Sequence, residues 1–263
     1  MLYPAEEGGC PDADGNGDCR TAAAQTACGL HLLQWTSSFH SRDWHNMPLE
    51  DRVTVLERLA ALEKKLLYDS AGLMPAAGED GSHGYVSVIK NHGAPVGGSL
   101  VHGHQQIAYS NVIPQRFQLD LTYKQRTGET FSDTLLRETP KTLRIRDYEK
   151  AELVVPWFMK RPYCMILALK DTSKKHLCDL EKSEITAVAD GLHDAVRALL
   201  AIMPGIGRTP AYNITLNNGP GAGLYFEFLP FTQETGGFEQ LGLWICQNNP
   251  ETAAVELRNF LNK

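Results

Sequence analysis

The stretch Asn91–Gln106, NHGAPVGGSLVHGHQQ, constrains this chain more than any other. Its first part is rich in glycine and predicts a loop, and its last part predicts a short strand. Alternate side chains of a strand share one face, so we expect His102, His104 and Gln106 to point the same way. Glycine lets backbone N–H groups approach a phosphate, and Ser99 adds a hydroxyl donor. The stretch therefore predicts an imidazole, as nucleophile or metal ligand, beside a phosphate-binding loop.

The spacing of these residues resembles the active-site signature of the galactose-1-phosphate uridylyltransferases. That family belongs to the histidine-triad superfamily of nucleotidyl transferases and hydrolases. The chain departs from the pattern at Gly103, where the family usually has proline. The resemblance runs from roughly residue 31 to the end and is specific mainly at the histidine motif. The matching positions are Asn91, Gly93, Gly97, Ser99, His102, His104 and Gln106.

The resemblance implies that His104 is a nucleophile. It would attack the α-phosphorus of a nucleotide sugar and hold the nucleotide covalently until a sugar phosphate accepts it. Gln106 stands where hydrolytic relatives carry a third histidine. Because an amide cannot donate a proton as an acid but can hydrogen-bond a phosphoryl oxygen, we expect transfer rather than hydrolysis. The substrate-binding residues would be Asn91, Gly97, Gly98 and Ser99.

The resemblance also implies a structural zinc ion near the nucleophile. His102 matches a zinc ligand of the family. His40, which follows a predicted strand His31–Trp35, is the best candidate for a second ligand, and His45 is the next. In the second half of the chain no His-x-His pair is present, so no second metal is expected. The residues at that place are Tyr225 and Glu227.

The segment from Cys10 to Cys19 is rich in Gly and Asp and predicts a loop. Its two cysteines are candidates for the remaining zinc ligands, although their spacing is longer than that of a zinc knuckle. A calcium loop is a weaker alternative, because Ala23 occupies the position where a bidentate Glu is needed. An acidic loop with incidental cysteines is the third interpretation.

Hydrophobic periodicity predicts a mixed order of helices and strands. A helix over Leu49–Leu67 has acidic residues in its first turn and lysines in its last, as the helix dipole favours. A strand over Gly84–Lys90 leads into the histidine stretch, and a long helix follows over Leu180–Met203. The resemblance implies an α+β, histidine-triad-like fold. Two related halves, 1–150 and 151–263, would form one antiparallel sheet flanked by helices.

Three further segments affect the interpretation of the fold and the site. A single helix is predicted over Pro114–Thr130. Arg144 and Arg146 alternate on a predicted strand, where they could meet a phosphate or lie solvated on a sheet edge. A closing helix is predicted to begin at Pro250, since proline is favoured in the first turn.

Composition excludes several classes of function. The 263 residues carry a formal net charge of −6 and no long basic run, so we expect no nucleic-acid partner. No apolar run reaches the length of a membrane span, and the N-terminus lacks the pattern of a signal peptide, so we expect a cytoplasmic protein. Six irregularly spaced cysteines do not indicate a disulfide framework.

The sequence thus predicts a nucleotidyltransferase of galactose metabolism. It would move a nucleoside monophosphate, by resemblance UMP, between a nucleotide sugar and a sugar 1-phosphate. One alternative is an ADP-sugar phosphorylase or a dinucleoside polyphosphate phosphorylase, and another is a nucleotide-binding protein without catalysis. The resemblance also implies a homodimer in which each site is completed by the partner.

Overall fold

The computed structural model describes residues 27–69, 74 and 81–263. Within these residues, eight strands form one sheet in the order β1-β3-β2-β7-β8-β6-β5-β4, and every neighbouring pair is antiparallel. The strands are β1 (Gly29–Trp35), β2 (Tyr85–His92), β3 (His104–Ser110), β4 (Arg144–Asp147), β5 (Ala151–Val154), β6 (Met165–Leu169), β7 (Tyr212–Asn217) and β8 (Tyr225–Pro230).

The helices connect and cover these strands. None of the helices in the described residues has the length and apolar character that a membrane crossing requires. The helices are α1 (Leu49–Tyr68), α2 (Gln115–Thr127), α3 (Phe131–Glu138), α4 (Lys182–Gly205), α5 (Gly237–Gln240) and α6 (Pro250–Leu261).

The same arrangement of elements occurs twice. The order β1-α1-β2-β3 in the first half corresponds to β6-α4-β7-β8 in the second, and the sheet neighbours β1-β3-β2 are mirrored by β7-β8-β6. The two sets meet where β2 pairs with β7, with Asn91 opposite Asn213. The predicted α+β fold with an antiparallel sheet flanked by helices is therefore confirmed. The predicted division at residue 150 falls in the turn between β4 and β5, within this continuous sheet.

The two faces of the sheet differ in polarity. On one face Val88 and Leu216 pack against Leu56 and Leu59 of α1 in the main hydrophobic core. Side chains one position along each strand point the other way, because the side-chain period of a strand is two. That opposite face carries Gln106 together with half-buried polar groups of β2 and β7. The candidate site lies on this polar face.

The helix predicted over Pro114–Thr130 is observed as α2, Gln115–Thr127, and a separate helix, α3, follows from Phe131. Gly128, with φ of 80°, ends α2 in the left-handed conformation, which glycine adopts without a steric penalty. Thr130 then begins α3 with a capping box, in which the Thr130 hydroxyl accepts from the Asp133 N–H and the Asp133 carboxylate accepts from the Thr130 N–H. Both signals are local, so the break was readable from the sequence.

The paired arginines of β4 have structural partners. Arg144 binds Glu152 at 2.7 Å, and Arg146 binds Asp194 at 2.8 Å. Since β4 is the edge strand at the end of the sheet opposite β1, these groups stabilise that edge. Their guanidinium groups contact carboxylates of the fold, so the phosphate-binding alternative has no support in the described contacts.

Candidate active site

The glycine-rich loop is a compact turn whose geometry requires its glycines. Gly93 and Gly97 have φ of 90° and 84°, on either side of a short 3-10 turn over Ala94–Val96. The N–H groups of Val96 and Gly98 both donate to the Gly93 carbonyl. A Cβ at Gly98 would lie 2.6 Å from the Gly93 nitrogen, so no side chain fits there. The loop therefore keeps its backbone close-packed next to β3.

Asn91 is held by a residue that the sequence analysis did not identify. The Asn213 Nδ2 donates to Asn91 Oδ1 at 2.7 Å and to the Val96 carbonyl at 3.1 Å. This leaves the Asn91 amide nitrogen on the side of Gly97, where it is available to a ligand. Since Asn213 lies on β7, the second half of the chain orients a predicted binding residue of the first half.

The end of the loop is open to solvent. Ser99 and Leu100 are exposed, and Val101 is 96% exposed. The Ser99 hydroxyl has no hydrogen bond within the described residues. The predicted phosphate-binding donors thus lie on an accessible surface.

His104 is the first residue of β3 and is 4% exposed. Its Nδ1 lies 2.9 Å from the His102 carbonyl oxygen. A carbonyl can only accept, so Nδ1 carries the proton and Nε2 keeps a lone pair. In the described part of the chain no group hydrogen-bonds Nε2. The ring is therefore held in the tautomer that a nucleophilic imidazole needs.

Gln106 lies two residues along the same strand and on the same face as His104. Its Oε1 lies 3.1 Å from His31 Nε2 on β1. Because the imidazole N–H donates to this oxygen, the Gln106 amide nitrogen is free to donate elsewhere. His31 was missed as an orienting residue, since its pairing depends on the register of β1 against β3.

His102 precedes the strand rather than lying on it, since β3 begins at His104. Its Nε2 donates to the Ser37 carbonyl at 2.6 Å, which leaves the lone pair on Nδ1. That Nδ1 lies 2.9 Å from His40 Nδ1. A histidine whose other ring nitrogen donates to a backbone carbonyl has the arrangement typical of metal ligands.

The structure distinguishes between the two candidates for the second zinc ligand, His40 and His45. His40 is beside His102, whereas His45 lies near Asp43 and His193, and burial lowers its pKa. Within residues 27–69, 74 and 81–263, no group of three or more His, Cys, Asp or Glu side chains could hold a metal. Cys10 and Cys19, like the alternative calcium residues, lie outside the described residues.

In the second half, Tyr225 and Glu227 belong to a network of charge pairs. The Tyr225 hydroxyl accepts from Arg116 Nε at 2.8 Å and lies 3.2 Å from Asp120 Oδ2. Glu227 binds Lys160 at 2.7 Å. Burial raises the pKa of Asp120 despite the nearby guanidinium. Arg116 and Lys160 therefore pair with oxygen atoms of Tyr225 and Glu227, the residues of β8 that correspond to the histidine motif of β3.

Apolar side chains flank the nucleophile on β1. Leu33 is opposite Gln106 and Trp35 is opposite His104, and each is 49% exposed. The Trp35 ring lies 5.8 Å from the His104 ring, edge to face. A groove of about 580 Å³ continues along this edge of the sheet, lined by Trp35 and His102. An aromatic surface beside a nucleophile suits the stacking of a planar ring.

Several solved structures share this fold. A uridylyltransferase has a TM-score of 0.75 at 20% identity, covering 89% of this chain and 76% of that chain. An ADP-glucose phosphorylase from Arabidopsis thaliana with bound ADP-glucose has a TM-score of 0.73 at 19% identity, covering 88% and 73%. A GalT-like protein from Arabidopsis thaliana has a TM-score of 0.72 at 21% identity, covering 92% and 78%.

No protein-family model matches the sequence, and no curated protein matches it. The fold implied by the resemblance at the histidine motif is nevertheless confirmed by the structural neighbours. At these identities the similarity establishes the fold. The chain has the fold of a uridylyltransferase and of an ADP-glucose phosphorylase.

Proposed function

We propose that this protein is a nucleotidyltransferase that works through a covalent nucleotidyl-His104 intermediate. The observation that carries the proposal is the hydrogen bond from His104 Nδ1 to the His102 carbonyl, which leaves the Nε2 lone pair for attack. The adjacent glycine loop and the Gln106 amide supply donors for phosphoryl oxygens. The fold shared with a uridylyltransferase and with an ADP-glucose phosphorylase agrees with this chemistry.

The reaction takes two displacements. His104 Nε2 attacks the α-phosphorus of a nucleotide sugar, an N–P bond forms, and the P–O bond to the sugar phosphate breaks. The ring then carries phosphorus on Nε2 and a proton on Nδ1, and its positive charge strengthens the bond to the His102 carbonyl. In the second step an acceptor phosphate oxygen attacks the phosphorus, the N–P bond breaks, and the neutral ring is restored.

Gln106 favours a phosphate acceptor over water. Its amide has no acidic proton to give a leaving group, whereas a sugar phosphate leaves near neutral pH with little protonation. The N–H groups of Gly97 and Gly98 donate within the loop, so the Ser99 N–H and hydroxyl are the loop donors that would stabilise charge on the phosphoryl oxygens. Loss of one such donor typically costs ~100-fold in rate. The chain's own groups therefore suffice for transfer between two phosphates.

For the substrates we propose UDP-glucose as donor and a hexose 1-phosphate as acceptor, with Trp35 and Leu33 beside the nucleoside. The second candidate is an ADP-sugar phosphorylase, which the ADP-glucose phosphorylase among the structural neighbours favours. The related dinucleoside polyphosphate phosphorylase would use the same nucleophile. A nucleotide-binding protein without catalysis would bind the donor and form no adduct.

The test is the intact mass of the protein after incubation with UDP-glucose and, separately, with ADP-glucose. A gain of one nucleoside monophosphate is expected, and the faster donor identifies the base. The adduct should discharge on addition of a hexose 1-phosphate, or of inorganic phosphate if the protein is a phosphorylase. Binding of both donors without any mass gain would contradict the covalent mechanism.

We further propose that His40 and His102 hold a zinc ion with Cys10 and Cys19. The two ring nitrogens that face each other at 2.9 Å fit a shared ligand, because the His102 lone pair is already directed there. Bound zinc would supply structural support for the segment before His104.

Protein purified without chelator should contain about one zinc per chain. His40→Ala should lose it, His45→Ala should keep it, and equal zinc content in both variants would contradict this assignment.

We also propose that the protein forms a homodimer. Around α5, four large apolar side chains are more than half exposed, and such a cluster marks an interaction surface. Sedimentation should give twice the chain mass, and Leu241→Glu should give the mass of one chain. A native protein that sediments as one chain would refute the proposal. The four residues are Phe238, Leu241, Leu243 and Ile245.

A further inference from the structure

A buried ion pair lies directly behind the nucleophile, on the helix-covered face of the sheet. Lys90 Nζ lies 2.7 Å from Asp43 Oδ2, and the two residues are 3% and 7% exposed. The same ammonium donates to the backbone carbonyl of His104 at 3.1 Å. Burial lowers the pKa of Lys90, and the carboxylate opposes this shift. A buried charge at this position is costly unless it is fully paired.

The strand ladder explains why His104 needs this donor. Thr36 N–H donates to the Gly103 carbonyl, so that carbonyl faces the β1 side. The His104 carbonyl, one residue along, must face the β2 side, because successive peptide groups of a strand point in opposite directions. The ladder between β2 and β3 ends at the pair Ile89–Gln106. The His104 carbonyl therefore lies beyond the ladder, and the Lys90 ammonium takes the place of the missing strand amide.

The same ion pair leaves no room for a side chain at position 103. A Cβ at this position would lie 2.7 Å from Asp43 Cγ and 2.6 Å from Thr36 Oγ1. The Thr36 hydroxyl and N–H each donate to the Gly103 carbonyl at 3.0 Å. The carboxylate thus fills the space that a side chain would need. This accounts physically for glycine between the two histidines of this chain.

Three successive carbonyls consequently have assigned donors. The His104 ring donates to the His102 carbonyl, Thr36 to the Gly103 carbonyl and Lys90 to the His104 carbonyl. Ring orientation depends on the peptide that carries the first of these oxygens. A backbone fixed at the two following peptides keeps that oxygen in place.

We propose that Lys90 and Asp43 are positioning residues that hold His104 for attack. Glycine at position 103 leaves room for the Asp43 carboxylate. This inference rests on the proposed function. Lys90 would act through the backbone and touch no substrate. Its loss should slow formation of the nucleotidyl-histidine and leave donor binding nearly unchanged, because misplacement by about 1 Å can cost ~100-fold in rate.

The variants must avoid an unpaired buried charge, since removing one partner alone strongly destabilises a fold. We therefore pair Lys90→Met with Asp43→Asn, which removes both charges and keeps an acceptor for the Trp44 N–H. The matched control is Arg52→Met with Asp190→Asn. That pair joins α1 to α4 at 3.2 Å and contacts neither histidine.

Single-turnover intact-mass measurements with the better donor should show adduct formation slowed by ~10- to 100-fold in K90M/D43N, with the donor dissociation constant changed by less than about threefold. R52M/D190N should keep the native rate. Equal rates in the two double variants and the native protein would overturn the inference while leaving the proposed function intact.

A second readout does not depend on turnover. Nitrogen NMR of His104 should report the Nδ1–H tautomer in the native protein, and a mixture of tautomers in K90M/D43N. An unchanged tautomer in a folded K90M/D43N would overturn the inference. Absence of any adduct in the native protein, with the tautomer change still present, would instead contradict the proposed function alone.

Discussion

Replacing His104 with alanine is expected to abolish the nucleotide-sized mass gain and to lower turnover by ~1000-fold or more, the scale of loss when a covalent nucleophile is removed. The physical reason is that the rings of His104 and His102 each donate to a backbone carbonyl, and of these two only His104 has a lone pair, on Nε2, with no partner among the described residues. His102 has its Nδ1 lone pair directed at His40. Donor binding should persist, since Asn91 and the loop are unaffected.

The measurement is intact mass together with steady-state turnover, with His83→Ala as the matched control. The His83 ring also hydrogen-bonds a backbone carbonyl, that of Met74, but lies before β2 and away from the loop. H83A should form the adduct at the native rate. A full-size adduct in H104A would mean that another residue is the nucleophile.

Replacing Glu63 with alanine is expected to lower the free energy of unfolding by about 3–5 kcal/mol, the range for breaking a buried charged network. Glu63, on α1, is completely buried. Its carboxylate accepts from the Asn218 amide at 2.9 Å and from the Cys178 N–H at 3.1 Å, and lies 3.8 Å from His176. The Asn218 amide also donates to the Val86 carbonyl on β2. The network therefore joins α1, β2 and the loop before β8.

Urea denaturation measures this loss. Glu63→Gln should cost less, because the amide oxygen still accepts one of these bonds. Glu57→Ala serves as control, since Glu57 is exposed on the same helix and should change stability by no more than about 0.5 kcal/mol. If E63A unfolded at the same urea concentration as E57A, the network would not be a source of stability.

Much of this molecule follows from local sequence patterns. Apolar spacing predicted α1 over Leu49–Leu67, and the helix observed is Leu49–Tyr68. The glycine loop and the histidine motif predicted a strand that presents His104 and Gln106, and β3 begins at His104. The break at Gly128 carried its own local signals as well, namely a left-handed glycine followed by a capping box. Where a residue depends on its near neighbours along the chain, the pattern sufficed.

The partners of the site depend on contacts between distant residues. Asn213 orients Asn91 across 122 positions, and His31 reaches Gln106 across 75. Each side chain alone is an ordinary polar residue on a strand, so no local pattern distinguishes it. Strand register decides which polar groups meet, and register is set by the whole sheet.

The sequence by itself determined which groups can do chemistry: an imidazole, an amide and a glycine loop at fixed spacing. The tertiary structure alone decided the tautomer of His104, the meeting of His40 with His102, and the ion pair behind the nucleophile. The physical reason is that hydrogen-bond partners are assigned by three-dimensional proximity and burial. Residue type determines whether a side chain can donate or accept a hydrogen bond, and folding determines which group is its partner.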